Sequence, residues 1–341
     1  MNVYPGAIWE TQAVDAAGFA PEKFAQIQTW LDDRAGDAGR YRVVIVRRGR
    51  LIAEWTRGEA STKQLRLASA TKSIFSSILG IVLAEGKLPS ADARVFDYYP
   101  EMMDVPAGSG PKPGRYAYPK DRAITFRQLI SNTSGYMKPG EEPGQVFNYQ
   151  TYGMNILTHA LAKCYGDYDS QDPEGSPGLQ PLIDSRLRLP IGATWGYYKA
   201  NFALPPTARI HIFGYYDGVQ ATALDMARLG WLWCNWGRWG DQQLIPAAWL
   251  REATQVAPAI RAHSPQEQWH YGYAFWTNQA GQLWPQLPTD SFAASGAGSQ
   301  HIWICPSQEL VVVQSPGLWQ DQAENDSGLL RLVLAALKPT G

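Results

Sequence analysis

Charge, cysteine and long apolar runs are all scarce in this chain, and each scarcity excludes something. Of 341 residues only 18% are Asp, Glu, Lys or Arg, below the share of about a quarter usual in soluble domains. The 30 basic and 31 acidic side chains leave a net charge of -1, which removes the basic footprint that a nucleic-acid partner requires. Three cysteines, Cys164, Cys234 and Cys305, are odd in number and widely spaced. They exclude the paired framework of a small secreted domain and predict free thiols. No stretch reaches the ~18 consecutive apolar residues of a membrane span. Even the segment from Ile74 to Ala84 is broken by Ser76, Ser77 and Gly80, so no membrane partner is expected. The opening, Met1 to Glu10, has neither a basic nor an apolar leader segment. That predicts a cytoplasmic protein, although a secreted chain trimmed of its leader would read the same way.

Several chemistries lose their usual support as well. The five histidines, His159, His211, His263, His270 and His301, show no paired ligand spacing, and neither His-Glu-x-x-His nor Cys-x-x-Cys occurs. No metal site is therefore expected. A Gly-x-Ser-x-Gly elbow, a complete Walker loop and a Gly-x-Gly-x-x-Gly turn are also absent, and no cofactor is called for.

What is plentiful is apolar material. Hydrophobic residues make up 45% and aromatics 12%, enough to exclude disorder and fill a sizeable core. The length suits about two domains or one large one. Pro21, with Phe24, Ile27, Trp30 and Leu31 at helical spacing, predicts a surface helix over 21–34. The β-branched runs Arg42 to Val46 and Leu51 to Trp55 flank Arg48-Gly49-Arg50 and predict a hairpin. Thr71 to Glu85 is apolar on most of its surface and predicts a buried helix ended by Gly86. Shorter helices are expected over Phe126 to Ser131, Tyr152 to Lys163 and Thr222 to about Trp233, separated by Gly/Pro-rich loops. Strands return late, at Tyr271 to Trp276, Gln300 to Cys305 and Leu310 to Gln314, before a final helix from Leu329 to Leu337. The fold class is therefore α+β. Residues 1–88 and 255–341 are expected to form one lobe around an antiparallel sheet shared by both chain ends, with 89–254 as an inserted, mainly helical lobe.

One short motif could do chemistry. Ser69-Ala70-Thr71-Lys72 opens the buried helix, and a residue three positions on shares the helix face at about 5 to 6 Å between Cβ atoms. Lys72 can thus reach Ser69 and take its proton, which a serine needs in order to attack a carbonyl. Backbone N–H groups at the helix start could steady the resulting oxyanion. A second copy, Ser109-Gly110-Pro111-Lys112, shows how readily the tetrapeptide arises; its proline excludes a regular helical turn. A lysine pKa near 10.4 must fall by about 3, at a cost of ~4 kcal/mol, for the amine to act as a base at neutral pH. Burial or a partner has to supply this, and a tyrosine is the natural partner in a coupled pair.

These blocks resemble a known family. Ser69-Ala70-Thr71-Lys72-Ser73, Leu129-Ile130-Ser131-Asn132-Thr133-Ser134-Gly135, Pro143 to Thr151 and Ala294 to Gln300 are similar, in order and spacing, to the motifs of the serine β-lactamase and penicillin-binding superfamily, on its class C and esterase side. The resemblance spans most of the chain. It implies a β-lactamase-like two-lobed fold, with Tyr149 as the base partner of Lys72. It also implies oxyanion donors in the backbone N–H groups of Ser69 and Ala297, and substrate contacts at Thr151, Ser295 and Gly296.

Two departures bear on substrate. Thr151 stands in place of the motif asparagine and Ala294 in place of the strand lysine or histidine, which removes an amide and a cation that would meet a β-lactam or a D-alanyl peptide. The pattern looks closest to the 6-aminohexanoate-dimer hydrolase and family VIII esterase branch, so the expected partner is a small-molecule ester or linear amide. The alternatives are a β-lactamase or D-alanyl-D-alanine carboxypeptidase, and a non-catalytic ligand-binding or sensor domain. Trp231, Trp233, Trp236, Trp239, Tyr197, Tyr198, Tyr215 and Tyr216 could wall a pocket, but packing is the expectation for most of them. Asp225 and Arg228, at i, i+3, are expected to pair as ions.

Overall fold

The computed structural model describes residues 3–318 and 327–339. The Val-rich run of strand β1 (Tyr41–Arg47) is buried at every position, which requires cover on both faces. Arg48 and Gly49 both adopt positive φ, 51° and 78°, as a two-residue hairpin turn needs, and return the chain as β2 (Arg50–Arg57). Three short strands lie in the middle of the chain: β3 (Leu65–Arg66), β4 (Gly196–Ala200) and β5 (Tyr216–Ala221). A small ribbon follows as β6 (Arg238–Trp239) and β7 (Gln242–Gln243). Last come β8 (Trp276–Thr277), β9 (Phe292–Gly296), β10 (Gln300–Cys305) and β11 (Leu310–Gln314). The main sheet is antiparallel, in the order β2-β1-β11-β10-β9-β8. The two ends of the chain thus share one sheet, as expected.

Alternation along β1 divides the core. Val43 and Ile45 pack with Phe24, Ile27 and Leu31 of α1 (Pro21–Ala35) and with Leu329, Leu330 and Val333 of α10 (Gly328–Ala335). Val44 and Val46 face the larger core, which holds α2 (Thr71–Ala84), α3 (Phe126–Ile130) and α4 (Tyr152–Lys163). The short helices α5 (Gln180–Ile183) and α6 (Ile210–Phe213), and α7 (Ala223–Cys234), α8 (Ala247–Ala253) and α9 (Pro258–His263), complete it. α2 is anchored by Ser73 Oγ donating to the Ala274 carbonyl at 2.6 Å, and by the indole N–H groups of Trp233 and Trp249 bonding Ser77 Oγ and the Ser76 carbonyl at 3.0 and 2.8 Å. Among the described residues no helix is long and apolar enough to cross a membrane, and all three cysteines are free.

The structure corrects four expectations. The middle of the chain is not strand-free, because β3, β5 and β4 form a sheet; Asp217 and Gly218 are poor strand formers, and only pairing across the fold extends them. Tyr271 to Trp276 is a single bridge rather than a strand, since Ala274, at φ 59°, interrupts the extended chain. Asp225 and Arg228 form no ion pair. The carboxylate instead accepts from Thr194 N and Oγ1, while the guanidinium donates to the carbonyls of Gly6 and Ile191. Finally, α7 lies inside the span expected for the helical lobe yet packs on β1, β10 and β11.

Gly230 permits that packing, because a Cβ there would stand 2.5 Å from Val311 Cγ1 and 2.7 Å from Ile302 Cγ2. Gly230→Val is expected to destabilise the fold by about 1–3 kcal/mol through overpacking. The small gain in helix propensity, a few tenths of a kcal/mol, cannot offset that. Urea unfolding of the two proteins measures the difference.

Candidate active site

Ser69 lies in a single 3₁₀ turn, Ala68–Ala70, that runs directly into α2. The turn is entered through Ala68 at φ 47°, a left-handed conformation that costs a non-glycine residue about 1–2 kcal/mol. Two bonds from β5 hold it: Leu67 N–H donates to the Val219 carbonyl at 2.8 Å, and the Tyr216 hydroxyl donates to the Ala68 carbonyl. The strained entry lies one residue before the serine, and tertiary contacts fix it.

Lys72, in the first turn of α2, is only 1% exposed, and its Nζ lies 2.6 Å from Ser69 Oγ. As an ammonium it donates to the hydroxyl; as a neutral amine it accepts the hydroxyl proton across the same contact. No carboxylate pairs with it among the described residues, and its other neighbours are the ring faces of Tyr149 and Tyr216, 4.9 and 5.8 Å from Nζ. Such faces favour the cation, but loss of water around the amine outweighs them and brings its pKa down to about 7.

Tyr149 is 37% exposed. It stacks on Trp276 at 5.7 Å and meets Tyr271 edge-on at 5.7 Å. Its backbone is clamped on both sides by one residue. Asn132 accepts from Asn148 N–H through its carbonyl at 2.9 Å and from Gln150 N–H through Oδ1 at 3.0 Å, and its Nδ2 donates to the Tyr271 hydroxyl at 3.1 Å. Asn132 itself sits at φ 58°, which asparagine tolerates better than most side chains. Asn132 lies in a motif block that assigns it no role, and Tyr216 reads as a packing residue; the sequence carries no local signal for the contacts either one makes here.

The end of β9 closes the opposite wall. A Cβ on Gly296 would stand 2.0 Å from the Leu67 carbonyl oxygen and 3.1 Å from Ser69 N, so only glycine lets this strand approach the serine turn so closely. Ala297 follows in the exposed β9–β10 turn, next to that approach. Partner β8 ends opposite Ala293 and Phe292, beyond the segment Ala294 to Gly296. Ala294 is fully buried, and strand alternation turns Ser295 to the opposite face, so near Ser69 the strand offers mainly backbone. Thr151 caps the start of α4, half-buried, and its side chain makes no capping hydrogen bond. The structure thus gathers Ser69, Lys72, Tyr149 and Gly296 at one place, with Ala297 and Thr151 at its edge. No three His, Cys, Asp or Glu residues gather as a metal site among the described residues.

Holding Lys72 in a dry site affects stability in a definite direction. Between about pH 7, its folded pKa, and the ordinary lysine value near 10.4, the unfolded chain binds the proton and the folded one does not, so stability rises with pH across this window. Lys72→Met removes the penalty. The variant is expected to be more stable than the unaltered protein below about pH 7, by at most about 5 kcal/mol, and to lose that advantage as pH rises, as read from unfolding curves taken over the range.

Comparison with known proteins bears on the family and the fold. A family model described as Beta-lactamase matches residues 31–328. A stretch of 108 residues is 36% identical to Beta-lactamase-like protein 1 of Dictyostelium discoideum, covering 29% of this chain and 17% of that protein. Among solved structures, one assigned as a 6-aminohexanoate-dimer hydrolase from Bacillus anthracis superposes with a TM-score of 0.64 at 18% identity, over 96% of this chain and 86% of that one. A family VIII carboxylesterase does so at 0.63 and 16%, over 94% and 98%. A penicillin-binding protein homologue from Caulobacter crescentus gives 0.62 and 18%, over 94% and 99%. At these identities the structures speak for the fold alone, a β-lactamase-like α+β fold. The family model covers most of the length, and the chain belongs to the beta-lactamase family.

Proposed function

We propose that the protein is a serine hydrolase that opens small esters or linear amides through an acyl-enzyme on Ser69. The observation that carries this reading is the 2.6 Å contact between Ser69 Oγ and an amine that is buried, among the described residues without a carboxylate partner, with its pKa brought down to about 7. Lys72 takes the hydroxyl proton as Oγ attacks the substrate carbonyl. The oxyanion sits against the N–H groups of Ser69 and Ala297. The proton passes to the leaving alcohol or amine with Tyr149 as relay, and water then releases the acid by the reverse path. With Thr151 and Ala294 in place of the amide and cation that grip β-lactams and D-alanyl peptides, simple esters and amides fit better. A cytoplasmic setting belongs to the same proposal.

A fluorophosphonate is expected to phosphonylate Ser69 with loss of fluoride, visible as added mass, and an activated p-nitrophenyl ester to be turned over with release of p-nitrophenol, turnover falling by about a thousandfold or more in Ser69→Ala. Tyr149→Phe is expected to lower kcat by about 10²- to 10⁴-fold while leaving the fold intact. The value of kcat/KM should climb with pH through about 7 as Lys72 loses its proton. An unmodified Ser69 and a flat pH profile would leave a ligand-binding domain as the surviving alternative, and faster turnover of a chromogenic cephalosporin than of esters would move the assignment to a β-lactamase.

A further inference from the structure

Tyr216 reads as a packing residue, yet its hydroxyl ends on the peptide that carries the Ser69 N–H. Strand β5 runs beside the serine turn and grips it at three points: Leu67 N–H donates to the Val219 carbonyl at 2.8 Å, Val219 N–H donates to Thr71 Oγ1 at 3.3 Å, and the Tyr216 hydroxyl donates to the Ala68 carbonyl. The first two bonds hold the ends of the turn. The third falls between them, on the left-handed Ala68. A carbonyl can only accept, so the phenol is the donor there. Burial pushes the pKa of this phenol well above the usual range, which keeps the proton in place at any working pH. Thr71 N–H donates to the same oxygen along the helix. One such bond leaves a peptide free to tilt, and the second fixes its plane.

The Ala68 carbonyl and the Ser69 N–H belong to one peptide unit. In a trans peptide the two share a plane and point in opposite directions, so whatever fixes the oxygen also aims the N–H. That N–H meets no acceptor among the described residues, whereas its neighbour, Ala70 N–H, is taken up by the Leu67 carbonyl at 3.1 Å. The Ser69 nitrogen stands on the β9 side, 3.1 Å from where a Cβ on Gly296 would lie, while the oxygen of the same peptide turns to the phenol. A hydrogen bond accepted by the oxygen also polarises the peptide and strengthens its N–H as a donor.

We propose, resting on the hydrolase reading, that Tyr216 is a positioning residue for the oxyanion: its hydroxyl, by gripping the Ala68 carbonyl, aims the Ser69 N–H at the oxygen of the carbonyl under attack. Without that grip the strained Ala68 can relax and swing the N–H away. The ring of Tyr216 lies 5.8 Å from Lys72 Nζ, and Tyr216→Phe keeps the ring. The substitution therefore separates the aim of the N–H from the surroundings of the amine.

The test compares p-nitrophenyl butyrate with its thiono counterpart, in which sulfur replaces the carbonyl oxygen. Sulfur accepts hydrogen bonds weakly, so an aimed N–H favours the oxygen ester, and the oxygen-to-sulfur ratio of kcat/KM reports on the oxyanion donors. Because the ratio is internal to each protein, a general loss of activity does not mimic a change in it. It is expected to fall about tenfold in Tyr216→Phe, as for one weakened hydrogen bond and short of the loss of about 10²- to 10³-fold when a donor is removed outright. Tyr149→Phe is expected to slow both esters alike and leave the ratio where it is. The pH midpoint of kcat/KM should be the same in Tyr216→Phe as in the unaltered protein. Should Tyr216→Phe not fold, the comparison is made between Ala68→Gly and Ala68→Gly with Tyr216→Phe, because glycine removes the cost of the left-handed backbone; the same fall is expected. A ratio that loss of the hydroxyl does not move overturns the assignment of Tyr216 and leaves the hydrolase standing, and a shifted midpoint beside it would give the hydroxyl to the amine instead. If the unaltered protein turns over neither ester, the hydrolase reading fails and the assignment fails with it.

Discussion

The removal of one amine from water is the constraint on which the site depends. Lys72 would be an ordinary, protonated lysine if α2 stood in solvent. It is buried because α2 is apolar around nearly its whole circumference and is wrapped by elements distant in sequence, among them α4, α8 and β9. Among the described residues no acid has been brought in to compensate. A carboxylate in contact would stabilise the ammonium and disarm the base, whereas the ring faces of Tyr149 and Tyr216 fill the space with only a weak preference for charge. The hydrophobic core therefore sets the proton affinity of Lys72, the base of the proposed reaction.

Two precise approaches then give that amine a use. The serine turn is forced through a left-handed alanine, a strain that a short β5 contact keeps in place. The end of β9 comes so near the same turn that a methyl group on Gly296 would collide with it. Both are local conformations that the chain would not adopt alone, and both are held by the sheet: β9 through its pairing with β10, and the turn through the small sheet that β5 forms with β3 and β4. The order of the main sheet, which places the two chain ends side by side, is what sets β9 against the start of α2.

Much of this was legible in the sequence, and the exceptions share a cause. The helix at 152–163, the strands at 300–305 and 310–314 and the hairpin at 48–49 follow from periodicity and turn chemistry over a few residues, and the structure has them where the pattern puts them. The reach from Lys72 to Ser69 is equally local, being one helical turn. What escaped is non-local. Strand β5 reads poorly because Asp217 and Gly218 favour turns, and it exists only through its neighbours. Asn132 stands in a recognisable block, but its clamp on the two peptides around Tyr149 joins segments 16 and 18 residues apart through a left-handed backbone. The Tyr216 hydroxyl bond to Ala68 spans 148 residues, and no window of sequence contains it.

Ala294, fully buried where the resemblance expects a cation on the strand, bears on the proton affinity of Lys72. A second positive charge on β9 would lower the pKa of Lys72 by repulsion, since a unit charge about 6 Å away at an effective dielectric near 20 is worth about 3 kcal/mol; it would also hold an acidic substrate. Here burial alone takes the amine to about 7, so a further cation beside it would push the base below its useful range. The same reasoning accounts for an apolar residue at Ala294: with desolvation setting the base, what that position must exclude is water.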